Sequence, residues 1–236
     1  MPSTTFHVDA ALFDMDGTLV DSAAGVTGAW ELFKEKYPNI DVHDILSCSH
    51  GIRTVDNLRN FCGIEDPEEL ESEAKRFETA IVDASKLNGR QGIVRLPGVT
   101  EAIQELAPGR HLPKPCWAIC TSATRVYASA ALKSAEIPVP DVFVTSEDVS
   151  KGKPDPEPYL LGAQKCGVKP ENCVVFEDAP NGVRSGKAAG CKTIGFLTTH
   201  SLEQMQAVKP DFLVRDLSSV TVRRTENGVE VTVRTD

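Results

Sequence analysis

Several common signals are missing from this chain of 236 residues. No window is long and apolar enough to cross a bilayer, and the opening MPSTTFHVDA carries neither the basic region nor the apolar stretch of a secretion signal. A cytoplasmic protein without a membrane partner is the expectation. Basic charge is scarce: Lys and Arg number 25 against 34 Asp and Glu, for a net charge of -9. That balance repels nucleic acid and anionic membrane surfaces, so neither is expected as a partner. The seven cysteines are scattered without a CxxC pair, which argues against a disulfide framework and a zinc site. Cys116 and Cys120 in CWAIC read as small core residues on one face of a strand. There is no internal repeat, low-complexity tract or heptad seam, and a monomer is the expectation.

What is present is an alternation of short apolar runs with helical segments. Strands are predicted at residues 8–14, 116–121, 141–145, 172–177, 193–197 and 212–214. The alternation predicts an α/β fold with a Rossmann-like, mainly parallel sheet. Between residues 21 and 92 the rhythm becomes helical: Val26, Trp30, Phe33 and Tyr37 form one stripe, and Leu70, Ala74, Phe77, Ile81 and Ala84 form another. This predicts two domains, a core made of residues 1–20 and 93–236 and a helical insertion at 21–92. Trp30, Phe33 and Tyr37 read as the core of that insertion rather than a sugar-stacking platform. PGRHLPKP, residues 108–115, reads as a loop between a helix and a strand. The tail VTVRRTENGVEVTV reads as a hairpin turning around Glu226, Asn227 and Gly228, extending the edge of the sheet. Gly182, Gly186 and Gly190 read as small residues that let a helix pack closely on the sheet.

ALFDMDGTLV, residues 11–20, ends an apolar run on two carboxylates, Asp14 and Asp16. Like charges beside a core are unfavourable unless a cation compensates. Ligands of parallel sheets gather at the carboxyl ends of the strands. Asp14 and Asp16, Thr121 and Ser122, Lys153, and Glu177 with Asp178 all fall there. Separately these could be a turn pair, a loop lysine and a helix N-cap. Together they are hard oxygen donors without histidine or thiolate, a set that suits Mg2+ and a phosphorylated small molecule. Asp14 would attack phosphorus, and Asp16 would protonate the leaving alcohol and then activate water. Lys153 and the Thr121 hydroxyl would hold phosphate oxygens, with Ser122 beside them.

DMDGT, TSA, GKPDP and FEDAPNG, in that order, resemble the four motifs of the haloacid dehalogenase superfamily of phosphatases and phosphomutases. The resemblance implies an inserted helical cap, matching residues 21–92. It also implies Asp14, Asp178 and the Asp16 backbone carbonyl as Mg2+ ligands, with Glu177 direct or one shell out. SHGIRT (residues 49–54), KPCWAICTSA (114–123), KGKPDPEPYL (151–160) and VVFEDAPNGVRSGKAAGCKT (174–193) are similar to the fungal group of glycerol phosphate and 2-deoxyglucose-6-phosphate phosphatases. Ala123 departs from the glycine usual there.

The expected function is hydrolysis of a small polyol or sugar phosphate monoester through an aspartyl phosphate. Two alternatives remain: a sugar phosphomutase of the same fold, and a non-catalytic protein that binds a phosphorylated metabolite. His50, Gly51 and Arg53 are expected to meet the substrate as the cap closes. For Arg53 the alternative is an exposed residue at a helix start.

Overall fold

The computed structural model describes residues 2–107 and 114–235, so most of the predicted 108–115 loop lies outside the described residues. The central sheet contains β2 (Ala10–Phe13), β5 (Trp117–Cys120), β6 (Val142–Val144), β7 (Cys173–Glu177), β8 (Lys192–Phe196) and β9 (Phe212–Val214). Their order is β6-β5-β2-β7-β8-β9, all parallel. Parallel strands are covered on both faces, which is why AALF, WAIC and CVVFE are apolar almost throughout and every residue in them is buried.

Alternation along each strand sorts these residues into two layers. Ala11, Phe13, Ile119 and Phe176 join one cluster; Ala10, Leu12, Ala118 and Cys120 join the other. On the first side lie α5 (Val99–Leu106) and α6 (Arg125–Ser134); on the second lies α7 (Glu157–Lys165), through Tyr159, Ala163 and Cys166. Burying a side chain such as Leu12 or Phe13 contributes about 1.5–3 kcal/mol. Cys116 and Cys120 are both buried, but they do not share a face: Cys116 precedes β5 and packs with Trp117 and Ile119.

After β2 the chain runs outward to β5 and β6, then returns to the other side of β2 with β7. The strand order therefore reverses at β2, which opens a crevice at its carboxyl end. Phe13 is in register with Phe176, and their rings stack at 4.5 Å. The next residue on the first strand, Asp14, thus emerges beside Glu177.

The chain leaves this sheet through β3 (Val20–Asp21) and returns through β4 (Val94–Arg95), which pair antiparallel. Between them lie α1 (Ala23–Lys36), α2 (Val42–Cys48), α3 (Thr54–Cys62) and α4 (Pro67–Ala84). Asp66 caps α4 by accepting the Glu69 N–H, with Pro67 in the first turn, where its missing donor costs nothing. Trp30, Phe33 and Phe77 form the centre of the block, with ring centroids 4.5 Å apart for Trp30 and Phe77 and 5.0 Å for Phe33 and Phe77.

The tail is a hairpin of β10 (Val220–Thr225) and β11 (Gly228–Arg234), but it does not extend the main sheet. It pairs with β1 (Ser3–Val8) in a separate antiparallel sheet of order β1-β11-β10. Pairing with β1 buries Val229, Val231 and Val233. The expected first strand accordingly divides at Asp9, with β1 in one sheet and β2 in the other. Among the described residues, no helix is long and apolar enough to cross a membrane.

Candidate active site

Asp14 continues β2 by donating its N–H to the Phe176 carbonyl at 3.0 Å. The turn that follows is tight: the N–H groups of Thr18, Leu19 and Val20 all point to the Met15 carbonyl. Gly17 adopts φ +85°, and a Cβ there would lie 2.3 Å from Asp178 Oδ2. Both conditions require glycine.

Lys153 ties the strand ends together. Its side chain is fully buried, and Nζ donates to Asp14 Oδ1 at 2.5 Å and to Glu177 Oε1 at 2.7 Å. Glu177 also accepts the Tyr159 hydroxyl at 2.8 Å and the Ala179 N–H at 3.0 Å. Asp178 accepts Thr18 Oγ1 at 3.1 Å and the Thr199 hydroxyl. Asp14, Glu177 and Asp178 each bring a carboxylate oxygen within 4.8 Å of the others, and all three are buried.

One lysine among three carboxylates leaves a deficit of positive charge. Burial pushes the Asp14 carboxyl well above its usual range; Lys153 opposes the rise, while Glu177 and Asp178 add to it. Burial and the neighbouring Glu177 carry Asp178 up to about 7. Burial alone would lower Lys153, but the charges of Asp14 and Glu177 outweigh it and keep the ammonium protonated. A hard divalent cation would restore neutrality, and the all-oxygen donor set fits Mg2+.

Asp16 stands apart from this cluster. Its Oδ1 accepts Ser22 Oγ at 2.6 Å and the Tyr127 hydroxyl at 2.8 Å. Burial raises its pKa, and these two hydrogen bonds moderate the rise. A carboxyl so held can carry a proton at higher pH than usual.

A cavity of about 80 Å3 brings Asp14 and Asp16 together with Thr121, Ser122, His50 and Gly51. Thr121 Oγ1 accepts the Ala123 N–H at 3.1 Å, and Ser122 donates to the Gly51 carbonyl at 2.8 Å, linking β5 to the helical block. His50 meets His200 edge to face with ring centroids 5.5 Å apart. Burial, assisted by His200, brings His50 down to about 4.

Arg53 is not brought to the cavity. Its Nε donates to Asp56 Oδ2 at 2.7 Å and its Nη1 to the Ser150 carbonyl at 3.2 Å. The acidic residue three positions on neutralises it locally, and the guanidinium fastens α3 to the loop before Lys153. Gly190, with φ +86° and no atom of the described residues within 4 Å of a Cβ, follows the end of the helix Pro180–Ala188 rather than packing on the sheet. Gly182 packs closely on it, as expected. A Cβ there would lie 1.6 Å from Glu177 Oε1, so the glycine makes room for the carboxylate that holds Lys153.

Sequence reasoning missed Ser22, Tyr127, Tyr159, Thr199 and His200. The last two follow β8, where the strand-end rule would have found them. It also missed Glu78, whose burial is legible afterwards: four residues after Ala74, it falls on the apolar stripe of α4.

A family model described as haloacid dehalogenase-like hydrolase matches residues 8–190. Hexitol phosphatase A of Escherichia coli (strain K12) is 38% identical over 217 residues, covering 92% of this chain and 95% of that protein. Glycerol-1-phosphate phosphohydrolase 1 of Saccharomyces cerevisiae is 35% identical over 233 residues, covering 94% and 89% respectively. The crystal structure of a hydrolase from Pseudomonas syringae aligns with a TM-score of 0.73 at 25% identity, over 89% of this chain and 94% of that one. The resemblance to fungal glycerol phosphate phosphatases is thus matched, alongside a bacterial hexitol phosphatase.

Proposed function

The chain belongs to the haloacid dehalogenase-like hydrolase family, and from that premise we propose that it is a Mg2+-dependent phosphatase of small polyol or sugar phosphate monoesters. The observation that carries the reading is the buried Lys153 ammonium bridging Asp14 and Glu177, with Asp178 alongside. Such a cluster needs a cation at rest and welcomes a phosphoryl group once the cation is bound. The names of the hexitol and glycerol phosphate enzymes support the substrate class.

Asp14, Asp178 and the Asp16 backbone carbonyl would hold Mg2+. Glu177 fixes Lys153, and with three donors on its carboxylate it keeps one acceptor position that could complete the ion's shell. The ion supplies positive charge that offsets the phosphoryl oxygens. Asp14 attacks phosphorus as the ester P–O bond breaks, and Asp16 delivers its proton to the departing alkoxide. Water then attacks the aspartyl phosphate, Asp16 takes the water's proton, and inorganic phosphate leaves with the Asp14 carboxylate regenerated. Lys153 stays protonated throughout and offsets the charge on the transferring group. Thr121 and Ser122 line the phosphate's side of the cavity.

Residues 21–92 act as the cap, with the β3-β4 ribbon as its hinge. Arg53 and Ser122 clasp it to the core through the Ser150 and Gly51 carbonyls. His50 and Gly51 form its inner edge. The test is phosphate release with Mg2+ across glycerol 1- and 3-phosphate, hexitol phosphates and 2-deoxyglucose 6-phosphate. Release abolished by EDTA and by Asp14→Asn is expected; release that survives Asp14→Asn would defeat the reading.

A further inference from the structure

The reacting carboxylates occupy one side of the cavity, and the helical block supplies the other. Trp30, Phe77 and Ile81 make that far wall apolar. Among the polar side chains that interrupt it are Asn57 on α3 and Glu78 on α4.

Asn57 is 8% exposed, and its Nδ2 donates to the Ser49 carbonyl at 3.1 Å. That bond fixes the amide's orientation, because the reverse assignment would set two oxygens against each other. Oδ1 is therefore the free end, and among the described residues it is the one buried side-chain polar atom with no partner. Buried acceptors are nearly always paired, so a donor from outside the protein is called for.

Glu78 is 4% exposed. Its Oε1 accepts Thr54 Oγ1 at 3.0 Å and the Thr124 N–H at 3.2 Å, and its Oε2 accepts the Thr124 hydroxyl. A carboxylate offers about four acceptor positions, so these three donors leave one. Thr54 and Thr124 also lock the side chain's rotamer, which pre-organises the remaining lone pair. Neither residue touches the reacting carboxylates. What they share is spare acceptor capacity on side chains that line a cavity in which the phosphate end is already served.

We propose that Asn57 Oδ1 and the remaining lone pair of Glu78 receive a hydroxyl of the leaving alcohol, making α3 and α4 the wall that selects polyol esters over alkyl ones. The inference rests on the phosphomonoesterase reading. An alkyl ester would fill the cavity and leave both acceptors without a donor, which is costlier than the loss of one hydrogen bond. Sites built to pair a substrate hydroxyl discriminate strongly against the analogue that lacks it.

The experiment compares kcat/KM for glycerol 1-phosphate and propyl phosphate, which share a three-carbon chain and differ in their hydroxyls. Wild-type protein is expected to favour the glycerol ester at least roughly 100-fold. Asn57→Leu, close in shape, is expected to lower that ratio about tenfold, and Glu78→Gln to lower it as well. A wild-type ratio near one, or a ratio unchanged in both variants, would overturn the inference while leaving the phosphatase reading standing. Turnover of 3-aminopropyl phosphate ahead of both esters would overturn it too, by assigning the donor to an ammonium. Silence of the wild type on every ester would remove the phosphatase reading and this inference with it. A variant that fails to fold loses all esters alike, and the wild-type ratio then decides.

Discussion

Replacing Gly182 by alanine places one methyl group where the Glu177 carboxylate now lies. The added Cβ would sit 1.6 Å from Oε1 and 1.8 Å from Cδ. Carbon and oxygen do not approach within 3.0 Å without displacement, so the carboxylate must move by more than an ångström. Glu177 is fully buried and held by Lys153, Tyr159 and the Ala179 N–H, and cannot move without breaking at least one of these bonds. Overpacking of this kind costs about 1–3 kcal/mol, and a lost hydrogen bond to a charged group costs about 1.5–3 kcal/mol. Alanine returns about 1 kcal/mol of helix propensity. The net is a loss of roughly 1.5–5 kcal/mol, or a fall in Tm on the order of 3–20 °C for a chain of this size. Activity is expected to suffer in proportion to the displacement of Lys153: an ångström of misplacement can cost about 100-fold in rate. Differential scanning calorimetry and steady-state phosphate release on the same preparation measure both effects. A Gly182→Ala protein whose Tm and kcat/KM match the wild type would refute the reasoning that the glycine exists to admit Glu177.

Three further outcomes follow from the same contacts. Tyr127→Phe removes a donor that stabilises the ionised form of Asp16, so Asp16 should hold its proton to higher pH and the alkaline limb of the kcat profile should move upward; a limb that stays put or moves down would exclude Asp16 as the acid. His50 is held below its ordinary 6.5, at about 4, by burial. The unfolded chain therefore binds a proton that the folded one refuses, and stability falls as pH drops from 6.5 to about 4. The loss due to this group is at most about 3 kcal/mol, and His50→Asn should lose less stability over that interval than the wild type in parallel urea titrations. Among the thiols, Cys48 is exposed, whereas Cys116, Cys120, Cys166, Cys173 and Cys191 are buried. Brief alkylation of the native protein should label Cys48 first by peptide mapping, and early labelling of Cys120 would contradict the packing of β5.

The sheet was legible because parallel strands buried on both faces leave continuous apolar runs, and the site was legible because its residues follow those runs. Asp14, Thr121, Lys153, Glu177 and Asp178 could all be found by asking where strands end. The partners of these residues could not. Tyr127 reaches Asp16 across 111 positions and Lys153 reaches Asp14 across 139, contacts that only the tertiary fold creates. Arg53 shows the converse: its pair with Asp56, three residues on, is a local contact that the spacing alone offered. The hairpin's turn was readable from Asn227 and Gly228, but its neighbour was not. Register and turn chemistry identify a hairpin, while the strand that covers its edge is set by where the N-terminus happens to lie.

The central claim is that Asp14 attacks phosphorus, and it is tested most directly by acid-quenching the protein during turnover of a polyol phosphate with Mg2+ and mapping the phosphoryl adduct by mass spectrometry. The account predicts an acid-stable, hydroxylamine-labile adduct on the peptide containing Asp14, absent from Asp14→Asn. Turnover by the Asp14→Asn protein, or an adduct on any other residue, would contradict it.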